Sequence, residues 1–346
     1  MAMAIGVALN CALLLPCAAT EKPNYPTTGP KVQAGKHIVF VAENFKNGGI
    51  VGVYRSLEAA SRLLGWQLDI VDGAGQSGKQ AALLDTAIAT HPDAIVFGGF
   101  DATKFETQVA AAQKAKIILV GWHAAKDPGP TPSLFVNVAT STQDVGKMAA
   151  DFVIQDPRAA GKKLGVIIFN DDQFAVASAK AQRMTETINA CASYTDCKVL
   201  ATVNVHIADA DARMPEVATT LLGNFGSAWN YSLAINDIYF DQLDAVLGQL
   251  KRKDVLNVSA GDGSAKAMAR IASGQSQQIG SIAEPLKLQG YQLADELNRA
   301  FAGLPPSGFK SKPIMVTVDL LKTMGKHGVE SNQGFESAYT GLWGKK

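Results

Sequence analysis

Short apolar runs alternate along the chain with stretches in which apolar residues recur every three or four positions. His37 to Ala42 reads as a buried strand, and Ile50, Val53, Leu57, Ala60 and Leu64 then fall at helical intervals, closed by Gly65. The alternation continues through strand 67–71, helix 79–90, strand 94–97, helix 104–115 and strand 117–121. After an apolar run at 135–139 it restarts with helix 145–154, strand 165–169, helix 177–190, strand 199–205, helix 214–222, strand 232–235, helix 239–250, strand 255–260, helix 265–273 and strand 279–283. A helix at 288–301 and a strand at 314–318 follow, and residues 332–346 read as irregular. Strands separated by single helices imply right-handed crossovers and a parallel sheet covered on both faces. Two successive copies predict an α/β fold of two similar doubly wound lobes.

Composition fits that expectation. With 346 residues, 47% of them hydrophobic and 18% charged, the chain holds enough apolar material for two ordinary domains. A formal charge of +1 provides no field favouring nucleic acid or an anionic membrane, so neither is expected as a partner. Residues 1–19 form a small-apolar run that closes on Cys17, Ala18 and Ala19, as in an export signal, although no Lys or Arg precedes it. A membrane anchor, interrupted by Asn10 and Pro16, and a lipid anchor on Cys17 are the alternatives. Residues 20–35, with Pro23, Pro26 and Pro30, read as an extended linker. Outside the signal the cysteines are Cys191 and Cys197, which in an oxidising compartment can close a small disulfide or remain two free thiols.

Motifs of chemistry are sparse. The stretch 73–79 resembles both a dinucleotide fingerprint and a P-loop, but Gln80 stands where a magnesium-binding Ser or Thr is needed, and Asp93 precedes the next strand instead of ending it. No Gly-x-Ser-x-Gly elbow, metal-binding His pair or Cys–His nucleophile is found, so no enzyme and no cofactor are expected. Two strand ends stand out instead. Ser232 to Asp237 and Ala94 to Asp101 are apolar runs that stop in Asn-Asp and Gly-Gly-Phe-Asp and pass into helices. Ligands of open parallel sheets gather at such carboxyl ends.

Together with Val258 to Gly263 and Gly280 to Pro285, these segments resemble the type I periplasmic solute-binding proteins of ATP-binding-cassette transporters, in the ribose and galactose branch, from about His37 to Val318. The lactose-repressor family shares this core, but it carries a helix-turn-helix where this chain has residues 1–35. The resemblance implies three crossings between lobes, near 139–140, 284–285 and 312–314. Lobe one is then 36–139 plus 286–312, and lobe two 140–284 plus 314–346. Ligand-contacting positions carry over to Glu43, Phe45, Asn47, Asp101, Trp122, His123 and Thr140. In lobe two they fall on Asp172 (within Asp171 to Phe174), Phe174, a helix position at or beside Arg183, Asp209, Asn236, Asp262 and Glu284. Where the family often has an Asp-Arg pair, this chain has Trp122 and His123, and aromatic positions of the ribose-type pocket are Gly49, Ile50, Asp209 and Gly261. Carboxylates and amides pair with vicinal hydroxyls, so the implied function is an exported periplasmic receptor, a monomer, that closes on a sugar or polyol and delivers it to an ATP-binding-cassette permease. A ligand-sensing subunit for a chemoreceptor or sensor kinase is the alternative, and an acid-rich pocket leaves an amine-bearing ligand open.

Overall fold

The computed structural model describes residues 24–76, 78–191, 196–325, 328–330 and 333–345, so the run read as an export signal lies outside the described residues. The first lobe consists of β1 (His37–Ala42), α1 (Gly48–Leu64), β2 (Gln67–Asp72), α2 (Gln80–Ala89), β3 (Ala94–Gly98), α3 (Glu106–Lys114), β4 (Ile118–Trp122) and β5 (Val136–Val138). Its sheet has the order β2-β1-β3-β4-β5, parallel throughout. Alternate residues of β1 enter different cores: Ile38 and Phe40 pack with Ile50, Val53 and Leu57 of α1, while Val39 and Val41 pack with Leu84 of α2 and Val109 of α3. Burial on both faces is why the strand reads as a continuous apolar run. Asn47 caps α1 by accepting from the Gly49 N–H, and Gly65, at φ +73°, ends it in the left-handed conformation.

The second lobe begins with α4 (Thr142–Ile154), β6 (Leu164–Asn170), α5 (Ala175–Asn189), β7 (Cys197–Asn204) and α6 (Ala210–Phe225). It continues through β8 (Tyr231–Ala234), α7 (Phe240–Gln249), β9 (Leu256–Ser259), α8 (Ala265–Ser273) and β10 (Gln278–Ala283). The chain then forms α9 (Leu286–Phe301), β11 (Ile314–Thr317), α10 (Val318–Met324) and α11 (Phe335–Leu342). The sheet order is β11-β10-β9-β8-β6-β7, with β11 antiparallel to β10. A disulfide joins Cys191, just past α5, to Cys197, the first residue of β7.

Between the lobes, α9 leaves the second sheet and buries Leu288, Leu293 and Leu297 in the first-lobe core against α1. The two helices cross closely because Gly290 has no side chain, a Cβ there falling 2.4 Å from Ser56 Cβ.

Three expectations need correction. The stretch read as irregular contains a helix, α11, over Phe335–Leu342. This segment does not belong to lobe two: Phe335, Tyr339 and Trp343 are buried in the first-lobe core, with Trp343 stacked 5.8 Å from Tyr291 and its Nε1 donating to Asp295 at 2.9 Å. The described part of the linker is docked rather than free. Tyr25 packs on Phe309 and Tyr339, and Asn298 accepts from the Gln33 N–H while donating to the Pro30 and Lys31 carbonyls. In each case the apolar or polar partners come from distant parts of the chain, where periodicity carries no information.

Trp343→Ala removes a ring that is 2% exposed together with its bond to Asp295. It should destabilise the protein by about 3–5 kcal/mol in urea unfolding, while the distant bridge between Cys191 and Cys197 stays formed by thiol titration.

Candidate functional site

The carboxyl ends of the two sheets face each other, and the residues just past them line one cleft. From the first lobe come Glu43, Asn47, Gly99, Trp122 and His123; from the second come Phe174, Val176, Ala177, Lys180, Ile207, Ile235, Asn236 and Asp262. The lobes are closed on one another. Lys104 Nζ donates across the cleft to the Gln173 carbonyl, and α1 approaches Asp262 so nearly that a Cβ on Gly49 would fall 2.4 Å from Asp262 Oδ2. The space left is about 40 Å³, well below the roughly 300 Å³ or more of ordinary ligand pockets. A solute therefore gains access only as the lobes part.

Behind the cleft, Glu284 is fully buried at the crossing from β10 to α9 and gathers partners from both lobes. Thr140 Oγ1 donates to it at 2.7 Å and Gln289 Nε2 at 2.7 Å. His123 Nε2 lies 3.2 Å away, out of line for a hydrogen bond, and Lys180 Nζ 3.8 Å away. Burial alone raises the Glu284 carboxyl, but His123, Lys180 and Thr140 outweigh it and hold the group well below the usual carboxylate range. Gln289 also accepts from Trp122 Nε1 at 2.7 Å, and the Trp122 ring stacks on His123 at 4.2 Å. Asn236 donates to Asp262 Oδ2 at 2.6 Å while its own Oδ1 accepts from the Ile238 N–H. Burial raises the Asp262 carboxyl, partly offset by Lys180 and His123.

The expected contact residues divide into three groups. Glu43, Asn47, Trp122, His123, Phe174, Asn236 and Asp262 line the cleft. Thr140 and Glu284 stand behind it as a bonded pair. Five others lie elsewhere. Phe45 packs on Tyr54 and faces a separate cavity of about 810 Å³, some of whose charged groups are already engaged, Lys266 with Asp241 and Glu330 with the amides of Lys287 and Leu288. Asp101 caps the 3-10 turn Ala102–Phe105. Asp172 is exposed, whereas its neighbour Asp171 is buried and accepts from the Ile207 N–H at 2.8 Å. Asp209 is exposed beside His206, and the 3-10 turn Ile207–Asp209 turns Ile207 inward in its place.

Arg183 pairs with Glu186 and packs near Gly146, so Lys180, one turn earlier on α5, is the cation in the cleft. A signal for it exists in the sequence. Lys180 is in phase with Ala177 and Met184 on the buried stripe of α5, and a lysine on such a stripe is out of place unless it serves a site.

Glu43 feels the closure most directly. Burial, then Asp171 from the other lobe and Asp72, push its carboxyl up to about 7. The closed form thus prefers Glu43 protonated. Its ionisation costs nothing below the ordinary value of 4.5 and costs most above about 7, roughly 3 kcal/mol at ~1.4 kcal/mol per unit. Melting of the ligand-free protein should therefore fall as pH rises from 5 to 8, and Glu43→Gln should remove that part of the slope in a parallel scan; equal slopes would contradict the assignment.

A family profile for a periplasmic binding protein domain matches residues 38–305. No curated protein matches the chain. Among solved structures, a sugar ABC transporter protein from Yersinia enterocolitica superposes with a TM-score of 0.74 at 12% identity, covering 91% of this chain and 99% of the other. A solute binding protein from Mycobacterium smegmatis gives 0.72 at 17% identity, covering 86% and 99%. A glucose-galactose binding protein from Geobacillus stearothermophilus gives 0.71 at 17%, covering 83% and 99%. At these identities the superpositions speak for the fold, two α/β lobes around a cleft. With the profile spanning most of its length, the chain belongs to the periplasmic binding protein domain family.

Proposed function

We propose that the protein is an exported receptor that closes on a small polar ligand, a sugar or polyol, and delivers it to an ATP-binding-cassette importer. The observation that carries this reading is the cleft itself, where buried acceptors (Glu43, Asp262) and donors (Lys180, His123) from opposite lobes converge. A hydroxyl both donates and accepts, so such a mixture matches vicinal hydroxyls. Closure takes these groups out of water and strengthens each bond. Structural relatives support the ligand class, since those from Agrobacterium vitis, Mycobacterium smegmatis and Actinobacillus succinogenes are described with bound allitol, glycerol and D-allose. Their description as ABC transporter solute binding proteins supports the importer as partner over a signalling receptor.

The apolar run at 1–19 supports a periplasmic location, with a lipid on Cys17 as the alternative to cleavage, and among the described residues no helix is long and apolar enough to cross a membrane. A monomer that binds no nucleic acid suits a receptor that must hinge and dock. Asn47, Asn236 and Asp262 are the contacts we assign to ligand hydroxyls, with Trp122 and Phe174 against the apolar side of the ring.

A thermal-shift screen of purified protein against sugars, polyols and amines tests this. A neutral sugar or polyol at ~100 times its dissociation constant should raise the melting temperature by several degrees, and Asp262→Ala should weaken binding about 10- to 100-fold. Responses confined to amines would overturn the ligand class.

A further inference from the structure

Outside the cleft, the cavity of about 810 Å³ that Phe45 faces is of the size that holds small organic molecules. Both lobes wall it. The first-lobe side is a stripe of α1 at four-residue spacing, Val51, Arg55 and Ala59; the second-lobe side is the segment Gly263–Met268, and Leu286 stands at the crossing between them. The walls approach closely at two glycines. A Cβ on Gly48 would fall 2.5 Å from Ser264 Cβ, and one on Gly52 2.6 Å from Leu286 Cδ1.

The lining combines apolar side chains with charges that are unevenly paired. Val51, Ala59, Met268 and Leu286 supply the apolar surface. Tyr291 adds a donor: it is 8% exposed, and among the described residues its hydroxyl has no hydrogen-bond partner. Of the charged groups, Lys266 is bound to Asp241, Lys287 lies beside Glu330, and Glu284 is bonded to Thr140 and Gln289. That leaves Lys46 and Arg55, which have no ion pair among the described residues, against Glu336. One positive charge is in excess. An amine would add to it and a dianion would overshoot it, whereas a single carboxylate balances it and accepts from both cations.

We propose that this cavity is a second ligand site, separate from the cleft, for an amphipathic monocarboxylate whose apolar body packs on Val51, Ala59, Met268 and Leu286 and whose carboxylate faces Lys46 and Arg55. The proposal stands apart from the sugar or polyol reading, because none of these side chains lines the cleft.

The test is a competition assay on the full chain. The probe is anilinonaphthalene sulfonate, an amphipathic monoanion that fluoresces when its rings leave water, and the competitors are decanoate, decanol and decyltrimethylammonium. Decanoate should displace the probe from one saturable site, about tenfold or more tighter than decanol, and decyltrimethylammonium should not displace it. Val51→Trp, which fills the cavity from the α1 stripe, should abolish decanoate binding. The double variant Lys46→Ala/Arg55→Ala changes only exposed side chains, so it should melt within a few degrees of wild type while losing about tenfold in affinity for decanoate and none for decanol. Decanol binding as tightly as decanoate, decanoate affinity undiminished in the double variant, or decanoate binding retained by folded Val51→Trp would each overturn the proposal. So would competitive displacement of decanoate by a sugar or polyol, which would place the acid in the main cleft. Failure of every sugar and polyol to bind would overturn the reading of the cleft and leave the decanoate results to decide this site.

Discussion

A fully buried carboxylate has to be surrounded by donors and counter-charges, and the position of Glu284 turns that requirement into an arrangement of the whole molecule. Its partners come from the first crossing (Thr140), from α9 (Gln289), from the end of β4 (His123) and from α5 of the opposite lobe (Lys180). One charge therefore ties both walls of the cleft to the point where the chain passes between lobes. Gln289 extends the tie to Trp122, so an aromatic wall of the cleft is oriented by the same network. Groups packed this way have few alternative positions, which suits a site whose geometry must reform at each closure.

The helix that follows Glu284 serves as a spine. Along α9, Gln289, Gln292, Asp295, Glu296 and Asn298 are all buried, an unusual load of polar residues for one helix. The load is tolerated because these groups find partners: outside the helix, Phe309 for Gln292, Trp343 for Asp295, Ser307 for Glu296 and the segment around Gln33 for Asn298, and within it Arg299, one turn on, for Asp295. Both ends of the described chain are thereby pinned to the first lobe. Across the cleft the second lobe meets the first through Lys104 with Gln173 and Glu43 opposite Asp171.

Two features of the cleft pull in opposite directions. Glu43 is disfavoured as a carboxylate because it meets Asp171 and is buried, whereas Glu284, also buried, is held ionised by His123, Lys180 and Thr140 around it. Under the proposed function, a ligand hydroxyl donating to Glu43 would relieve the first without affecting the second, which would couple ligand binding to lobe closure.

Local sequence settled the alternation of elements, the strand ends that carry cleft-facing residues, and the helix stop at Gly65, because burial on both sheet faces and helix periodicity are written residue by residue. It also pointed to Asn236 and Asp262, which lie shortly past the ends of β8 and β9. Where a turn or helix phase chooses between neighbours, sequence position alone misled: Ile207 faces the cleft and Asp209 does not, Asp171 is buried and Asp172 is not, Lys180 points in and Arg183 lies beside it. One residue of shift rotates a side chain by about 100° on a helix, and the backbone geometry of a 3-10 turn is decided by what it packs against. Trp343 and its neighbours repeat every four residues and are legible in retrospect, but their lobe is not, because the surface that receives them is assembled from α9 and the segment around Tyr25, with bonds spanning 48 and 308 residues of sequence. The sequence by itself determined which elements form and which strand ends hold polar groups; only the tertiary structure decided which of those groups share one cleft, since that depends on a crossing held by a single buried charge.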